Sequence, residues 1–401
     1  MKRFAIIACC LLAACTDREE SLLVRTVESE LQRCPTAADL DGQQGRLKWN
    51  YTTGLELKAF LDCSDEKGLQ HTLAYVEDWY DALIDSTGAI GGGYKESNYS
   101  LDHICPGWAL LQLVRISPKD KYFKAIEQLH RQLLDQPRNA EGGFWHKQIY
   151  PDQMWLDGLY MAMPFYAEYT RDFAPEDLRT SHYDDIVRQF SLAFHNCYDP
   201  ATGLLRHAWD ASHRMFWCDP QTGLSAHAWG RALGWYCMAL VEVIDIMEHD
   251  FHYPDQVLPG ILSSVIASLL PYADPETGLW YQVLDCPGQE GNYLEATCNA
   301  MFAYSMLKGV RLGALEGVMD EEKACQIYHQ MLDTFVTVDE AGLVVLHDCC
   351  AVAGLGGKKM RSGTYDYYIN EAVVENDPKG MGPLIWAMRE YERYHENSLD
   401  Q

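Results

Sequence analysis

Apolar residues recur along much of this chain at the three- and four-residue spacing of an amphipathic helix. The clearest segments are residues 122–134, 178–193, 231–247, 256–270, 294–312 and 321–335. Good helix formers fill most other positions in these segments, and no run alternates between apolar and polar residues as a half-buried strand does. The pattern therefore predicts an all-α protein.

A turn signal separates the helical segments and repeats along the chain. Three copies have the form Asp-Pro-x-Thr-Gly and begin at Asp199, Asp219 and Asp274, and looser copies begin at Asp85 and Asp339. Proline presets φ in such a turn, and glycine takes the left-handed position. The main copies lie roughly 50–75 residues apart, which leaves room for two helices and a loop in each unit.

About six such units predict an (α/α)6 barrel, which is a closed toroid of six helical hairpins. An open solenoid of stacked hairpins is the alternative. The loops carry aromatic and charged residues along the whole chain, as expected if they converge on one cleft, and this favours the closed barrel. No clear linker follows residue 30, so we predict a single domain over residues 31–401.

The first 15 residues have the order of a bacterial lipoprotein signal. Two basic residues precede an apolar run over residues 4–12 that is too short to span a bilayer, and Leu12-Ala-Ala-Cys15 then resembles a lipoprotein cleavage site. We predict a signal peptide over residues 1–15 with Cys15 lipidated, followed by a polar tether over residues 16–30. The protein would then be a cell-envelope lipoprotein, periplasmic or anchored to the outer membrane, that contacts the membrane through its lipid alone.

The overall charge limits the kinds of ligand. The chain has 401 residues, enough for a large core, and a formal net charge of −26 at pH 7. Such an acidic protein is a poor partner for nucleic acid. It would also repel an anionic sugar, so an anionic ligand needs a locally basic pocket.

The cysteines do not indicate a metal centre. Of 14 cysteines, 11 lie beyond residue 15, and none of them forms a CxxC pair. Metal clusters normally need closely paired ligands. We therefore predict no metal and no cofactor, and the sequence leaves any disulfide pairing open.

One carboxylate stands out by its surroundings. Asp157 opens an apolar helical segment directly after Trp155 and Leu156, within the aromatic stretch 144–165. Burial disfavours the charged form of a carboxyl group and raises its pKa, as a proton donor near neutral pH requires. We therefore expect a raised pKa for Asp157. The alternative is that Asp157 caps the helix and Trp155 belongs to the core.

Seven short motifs follow one another in a fixed order. They are Trp49-Asn-Tyr-Thr-Thr-Gly54, Leu101-Asp-His-Ile-Cys-Pro-Gly107, His146-Lys147, Asp152-Gln-Met-Trp-Leu-Asp-Gly158, Leu205-Arg-His-Ala-Trp209, Ala228-Trp-Gly-Arg-Ala-Leu-Gly-Trp235 and Glu375-Asn-Asp-Pro-Lys-Gly-Met-Gly-Pro383. In this order the chain resembles the unsaturated uronyl hydrolases of glycoside hydrolase families 88 and 105, over residues 47–394. The family fold is the same six-hairpin barrel.

The resemblance implies a specific hydrolase chemistry. Polysaccharide lyases leave a sugar with a C4=C5 double bond at the non-reducing end, and these enzymes hydrate that bond instead of attacking the glycosidic carbon. One carboxyl group then suffices as acid and base, whereas ordinary glycosidases use a pair. Asp157 matches the family's catalytic acid, and Asp102 matches a second acid that assists it. A nearby like charge would raise the pKa of Asp157 further.

The resemblance also assigns residues to substrate binding. They are His146, Lys147, His207, Trp229, Arg231, Trp49 and Tyr51. Arg231 and Lys147 would hold the uronate carboxylate, and the aromatic residues would line the sugar site. For Lys147 and Arg231 the alternative is a surface charge, and for the others it is a structural or core role.

Two other classes of protein remain as alternatives. A non-catalytic glycan-binding lipoprotein on the same barrel would keep the aromatic residues and lose the acids, whereas this chain has both Asp157 and Asp102. A sugar epimerase would need two histidines flanking the sugar, for which His207 and His227 are the candidates.

His103 beside Asp102 could ligate a metal, but no second ligand set has metal spacing. We therefore predict an unsaturated rhamnogalacturonyl or glucuronyl hydrolase that acts on lyase products.

The lipoprotein prediction can be tested at Cys15. Cys15→Ser should release the protein from the membrane fraction, because serine lacks the thiol that would carry the lipid. Cell fractionation and uptake of labelled fatty acid measure the two consequences. A variant that still sediments with membranes, together with a wild type that takes up no label, would contradict the anchor.

Overall fold

The computed structural model describes residues 21–250 and 256–399, and it describes no side chains for residues 395–399. The predicted signal peptide with Cys15, and residues 16–20 of the predicted tether, lie outside the described residues. Within the described residues, no helix combines the length and the apolar character that a membrane span requires. All 11 cysteines there are free thiols.

The described residues form thirteen helices. In chain order they are α1 (Leu22–Arg33), α2 (Tyr51–Asp62), α3 (Thr72–Leu83), α4 (Cys105–Ile116), α5 (Asp120–Leu134), α6 (Leu156–Asp172), α7 (Glu176–Cys197), α8 (Gly230–Glu248), α9 (Val257–Leu269), α10 (Ala296–Arg311), α11 (Glu321–Phe335), the short α12 (Tyr365–Ile369) and α13 (Pro378–Leu399). The six segments predicted from periodicity all fall on helices, with ends that differ by a few residues.

Six of the helices close into an inner ring. α2 packs against α4, α4 against α6, α6 against α8, α8 against α10, α10 against α13, and α13 back against α2. The helices α3, α5, α7, α9 and α11 each return along the outside of the ring. The closed six-hairpin barrel predicted from the repeats is therefore confirmed, and the open solenoid is wrong.

The sixth hairpin joins the two ends of the chain. Helix α1 packs on the outside of α13, and its residues Leu23, Val27 and Glu30 are buried. The tether predicted over residues 16–30 therefore extends too far, because the segment from Leu22 onward belongs to the barrel. The tether was predicted over this segment because it directly follows the polar residues 16–20.

Burial explains which helices lie inside. In the inner helix α8 nearly every side chain is buried, from Arg231 to Met247, as expected for a helix that is covered on all sides. The outer helix α5 is amphipathic instead. It buries Tyr122, Ala125, Ile126, Leu129 and Leu133, at a spacing of three and four residues.

The repeated Asp-Pro-x-Thr-Gly turns lie in the loops between an outer helix and the next inner helix, and they share one set of hydrogen bonds. At Asp199 the backbone N–H donates to the Leu204 carbonyl at 3.0 Å, and the side chain accepts from the Ala201 N–H at 3.0 Å. Gly203 has a φ of 75°, a conformation that glycine adopts without steric cost. The turns at Asp219 and Asp274 repeat these contacts.

Short strands occur in the loops, and they do not alter the all-α class. β1 (Gln153–Trp155) pairs with β2 (Ala208–Asp210), β3 (Val336–Val338) with β4 (Val344–Leu346), and β5 (Cys349–Cys350) with β6 (Val373–Val374), all antiparallel. The first pair matters most, because it joins the loop before α6 to the loop before α8.

Two buried glutamates lie where α1 meets the inner ring. Glu56 on α2 is 0% exposed, and its carboxyl group lies next to that of Glu30. Burial raises its pKa well above the ordinary value, and the neighbouring Glu30 raises it further. Burial likewise raises the pKa of Glu30, to about 7, although Arg33 opposes the shift. The pair therefore retains protons that an unfolded chain would release.

This pair should make the stability depend on pH. An unfolded glutamate loses its proton near pH 4.5, whereas the folded Glu30 holds its proton up to about pH 7. The free energy of unfolding should therefore fall as pH rises through that window. The side chain in Glu56→Gln cannot ionise, so the free energy of unfolding should decrease by roughly 1–3 kcal/mol less in this variant than in the wild type. Denaturant unfolding at pH 5 and pH 8 measures the effect.

The exposed Glu316 provides a matched control. Glu316→Gln makes the same chemical change away from the pair and should leave the pH dependence of unfolding as it is in the wild type. If Glu56→Gln and the wild type lose the same free energy of unfolding between pH 5 and pH 8, the glutamates do not share a proton.

Candidate active site

The predicted site residues lie at the N-terminal ends of the inner helices. One outer helix runs back between each inner helix and the next, so all six inner helices run in the same direction. Their first turns, and the loops before them, therefore meet at one end of the barrel. Tyr51 opens α2, Asp102 lies just before α4, Asp157 is in the first turn of α6, and Arg231 is in the first turn of α8. Residues far apart in sequence are thereby brought together.

Backbone hydrogen bonds tie these loops to one another. The Leu101 N–H donates to the His146 carbonyl at 3.1 Å, and the His146 N–H donates to the Gln153 carbonyl at 2.9 Å. Next in the series, the Leu156 N–H donates to the His207 carbonyl at 3.1 Å, beside the β1–β2 pair. This connected backbone fixes Asp102, His146, Asp157 and His207 relative to one another.

Asp157 is largely enclosed, and it faces a histidine. Its side chain is 14% exposed, and its Oδ2 lies 3.3 Å from His207 Nε2. Burial alone would raise the pKa of Asp157, but His207 and then His146 outweigh burial and hold the pKa below its ordinary value. The expected rise in pKa is therefore wrong for the free protein, because the sequence did not reveal that a histidine faces the acid.

His207 is oriented by a tyrosine that the sequence analysis missed. It is 0% exposed, and its Nδ1 lies 2.7 Å from the hydroxyl of Tyr368 in α12. Its ring also lies 4.8 Å from that of Trp229. With Nδ1 engaged by Tyr368, Nε2 is directed at Asp157. The signal for Tyr368 was its place in the aromatic run 365–368, which matched none of the seven motifs.

Asp102 is held as an anion. Lys147 forms an ion pair with its Oδ2, and His146 Nε2 lies 3.3 Å from its Oδ1. Burial would raise the pKa of Asp102, but Lys147 and His146 lower it below its ordinary value. The two acids therefore differ: Asp102 has a lysine partner, whereas Asp157 faces a histidine.

His146 sits in an aromatic stack. Its ring lies 4.6 Å from that of Trp155 with an angle of 9° between the planes, and Trp155 stacks in turn on Tyr150 at 4.9 Å. Burial lowers the pKa of His146 to about 4, with only partial opposition from Asp102. His146 is therefore neutral near pH 7 and serves as a hydrogen-bonding group.

Arg231 is a buried cation without a nearby carboxylate. It is 1% exposed, it donates from Nη1 to the Cys350 carbonyl, and its guanidinium lies 4.7 Å from the centre of the Trp229 ring. No carboxylate of the described residues lies within 4.0 Å of it, so it forms no ion pair with Asp102 or Glu295 there. Burial opposes its charge, but Cys350 and the more distant Glu295 raise its pKa, so Arg231 stays protonated.

Trp49 and Trp229 form rigid parts of the wall. Each is 1% exposed. The Trp49 indole donates to the His103 carbonyl at 2.8 Å and stacks on Trp79 at 5.5 Å, and the Trp229 indole donates to Gln282 at 3.0 Å. Both indoles are therefore held by the fold, and little of either is accessible from solvent.

Tyr51 connects the cleft to both acids. It lines a cavity of about 860 Å³ together with Trp49, Asp102 and Lys147. Burial raises the pKa of the Tyr51 phenol well above its usual range, and Asp102 and Asp157 raise it further while Arg231 opposes them. The phenol therefore stays protonated and can donate a hydrogen bond within the site.

His227 lies in a different environment from His207. Its Nδ1 is 3.0 Å from Asp285 and 3.8 Å from the sulfur of Cys286, and these three residues are the group in the described chain whose spacing could suit a metal. However, Arg206 also binds Asp285, at 2.5 Å from the same carboxyl oxygen. The arrangement is accounted for by this ion pair, and the His227 ring is engaged by Asp285.

The closed ring of six helical hairpins, with two acids at the end where the loops meet, is the architecture expected from the resemblance to the unsaturated uronyl hydrolases. The sequence profile of Glycosyl Hydrolase Family 88 matches residues 22–395. The chain belongs to this family. The resemblance to the unsaturated uronyl hydrolases is thereby confirmed, and with it the prediction of a glycoside hydrolase.

Individual relatives agree with the family assignment. The structure of a family 105 glycoside hydrolase from C. acetobutylicum ATCC 824 is 39% identical, with a TM-score of 0.85 over 93% of this chain and 100% of that one. The unsaturated rhamnogalacturonyl hydrolase YesR of Bacillus subtilis is 29% identical over 66% of this chain and 72% of that protein. An unsaturated glucuronyl hydrolase from Bacillus sp. GL1, at 11% identity, shares the fold with a TM-score of 0.64 over 93% of this chain and 95% of that one.

Proposed function

We propose that this protein releases the unsaturated uronate from the non-reducing end of polysaccharide-lyase products, with Asp157 as the acid. The observation that carries the proposal is an enclosed carboxyl group at a helix start, facing a histidine that a tyrosine orients. The rhamnogalacturonyl and glucuronyl substrates of the similar enzymes define the substrate class. The name of YesR supports a pectin-derived fragment as the first substrate to test.

The reaction can be followed proton by proton. Asp157 donates a proton to C4 of the C4=C5 bond, and positive charge develops at C5 and the ring oxygen. Water then adds to C5 while the Asp157 carboxylate takes a proton from it, so the acid is regenerated. The resulting hemiketal opens, and the hemiacetal left at C1 collapses to release the next sugar as an alcohol. No glycosyl–enzyme bond is needed.

Substrate binding would supply the protonated state of Asp157. In the free protein His207 lowers the pKa of Asp157, which favours the carboxylate. An anionic sugar carboxylate bound beside Arg231 would bring a negative charge near Asp157 and displace water. Both effects raise the pKa of a carboxyl group. The acid would thus become an effective proton donor when the substrate is in place.

Each group around Asp157 has a separate role in this proposal. Arg231 holds the uronate carboxylate, because it is a buried guanidinium with no carboxylate within 4.0 Å among the described residues. Asp102, kept anionic by Lys147, would stabilise the charge that develops near C5. Tyr51 and His146 would hydrogen-bond the sugar hydroxyls, and Trp229 would form the wall behind the ring.

The alternatives gain no support from the site geometry. An epimerase would need His207 and His227 on opposite sides of one sugar, but the His227 ring is engaged by Asp285. A purely binding protein would have no use for two acids held in different electrostatic environments.

We also propose that the protein is a lipoprotein of the cell envelope. The segment from Cys15 to Leu22 could span at most about 25 Å, so the barrel would stay close to the membrane surface.

Removing the acid should abolish turnover. Asp157→Asn keeps the shape of the side chain but cannot donate the proton, so kcat should fall by roughly 10²–10⁴-fold. Loss of the ultraviolet absorbance of the unsaturated uronate measures turnover. Asp177→Asn, on the outer helix α7, is the matched control and should keep wild-type kcat. A folded Asp157→Asn variant with near-wild-type activity would rule out the assignment.

Removing the cation should weaken substrate binding. Arg231→Ala deletes the proposed partner of the uronate carboxylate, so KM should rise by about ten- to a hundredfold, as for a lost charged hydrogen bond. Arg231→Lys keeps the positive charge but lacks the two parallel N–H donors of arginine, so its KM should lie between those of the wild type and Arg231→Ala. Thermal unfolding checks that both variants fold. An unchanged KM in a folded Arg231→Ala variant would transfer the role to Lys147.

A further inference from the structure

Most cations that line the cavity already have an acidic partner. Arg33 pairs with Glu30, Lys147 with Asp102, and Lys379 with Asp377 at 2.7 Å. The fourth cation of the lining is Lys48. Among the described residues, no carboxylate lies within 4.0 Å of its ammonium group, although the chain carries a net charge of −26.

Lys48 is held in place by its neighbour. The Trp49 N–H donates to the Gly92 carbonyl at 3.0 Å, and the Trp49 indole donates to the His103 carbonyl at 2.8 Å. The backbone at Lys48 is therefore fixed, whereas its side chain is exposed and free to meet a ligand. The ammonium group also lies close enough to His103 for its charge to act on that imidazole.

Two buried polar atoms on the same cavity wall have no hydrogen-bond partner. They are Oδ1 of Asn50, a residue that is 8% exposed, and Nδ1 of His103. Leaving a buried polar atom unpaired is costly, and such atoms are normally satisfied by protein, water or ligand. An acceptor at Asn50, an imidazole nitrogen at His103 and a cation at Lys48 together suit a hydroxylated, anionic sugar.

We infer that Lys48, Asn50 and His103 form a second subsite, which binds an anionic group on the part of the oligosaccharide that is released. This inference rests on the proposed function, in which Arg231 takes the single carboxylate of the reacting ring. Lys48 lies instead beside His103, on the Asp102 side of the cavity. The cavity of about 860 Å³ is lined by Lys48, Asn50 and His103 together with Asp102 and Tyr51, so this subsite would adjoin the proposed place of the reacting ring. A second cation there suits a carboxylate or a sulfate on the neighbouring sugars.

The test compares substrates that differ in the charge of the released part. For a carboxylate, the pair is the unsaturated rhamnogalacturonan disaccharide and the corresponding tetrasaccharide. For a sulfate, it is the unsaturated chondroitin disaccharide without and with a sulfate group. The wild type should show a lower KM for the charged member of the pair it accepts, and added salt should reduce that preference.

Lys48→Gln should lower the preference for the charged substrate by about three- to tenfold, through KM and not through kcat. Lys124→Gln, an equally exposed lysine on the outer helix α5, should keep the wild-type preference. A preference that is the same in Lys48→Gln and the wild type, or is absent from the wild type, would overturn the second subsite while leaving the hydrolase intact. A wild type that cleaves none of the four substrates would instead contradict the proposed function.

Discussion

The site depends on one constraint, which is that the six inner helices run in the same direction. An outer helix runs back between each inner helix and the next, so the N-terminal ends of all six inner helices lie at one end of the barrel. A helix N-terminus carries partial positive charge and unpaired N–H groups. Six of them together favour an anion at this end of a protein whose net charge is −26. An anionic sugar can therefore bind at this end although the protein as a whole would repel it.

Within that region, the pairing of individual charges decides which groups remain for the substrate. Lys147 is committed to Asp102, and this ion pair fixes an anion beside the site. Among the described residues, the hydrogen-bond acceptor of Arg231 is the Cys350 backbone carbonyl and no carboxylate, so its positive charge is left for the proposed substrate carboxylate. Asp157, the proposed acid, is ionised in the free protein because His207 and His146 lower its pKa. In the proposed reaction, the anionic substrate would therefore bind first and Asp157 would donate its proton afterwards.

The sequence sufficed for the barrel because its signals are local. Helical periodicity and the Asp-Pro-x-Thr-Gly turns act over a few residues, and the motifs identified the ends of the inner helices. The missed features depend on long-range contacts. Tyr368 meets His207 across 161 residues of sequence, and no pattern near either residue indicates the contact. The direction of the pKa shift of Asp157 was missed for the same reason, since it depends on a histidine from another loop.

The same long-range closure shapes the substrate cavity. One part of its wall comes from α1, through Glu30 and Arg33, and another comes from the segment 374–379 that leads into α13. Contacts between the two ends of the chain, such as the 3.4 Å contact from the Thr26 hydroxyl on α1 to the Met388 sulfur on α13, hold this wall together. The cavity therefore exists in full only when the ring is closed. A ligand that binds the closed ring and not an opened one must stabilise the closure by mass action, so substrate binding and the docking of α1 are linked.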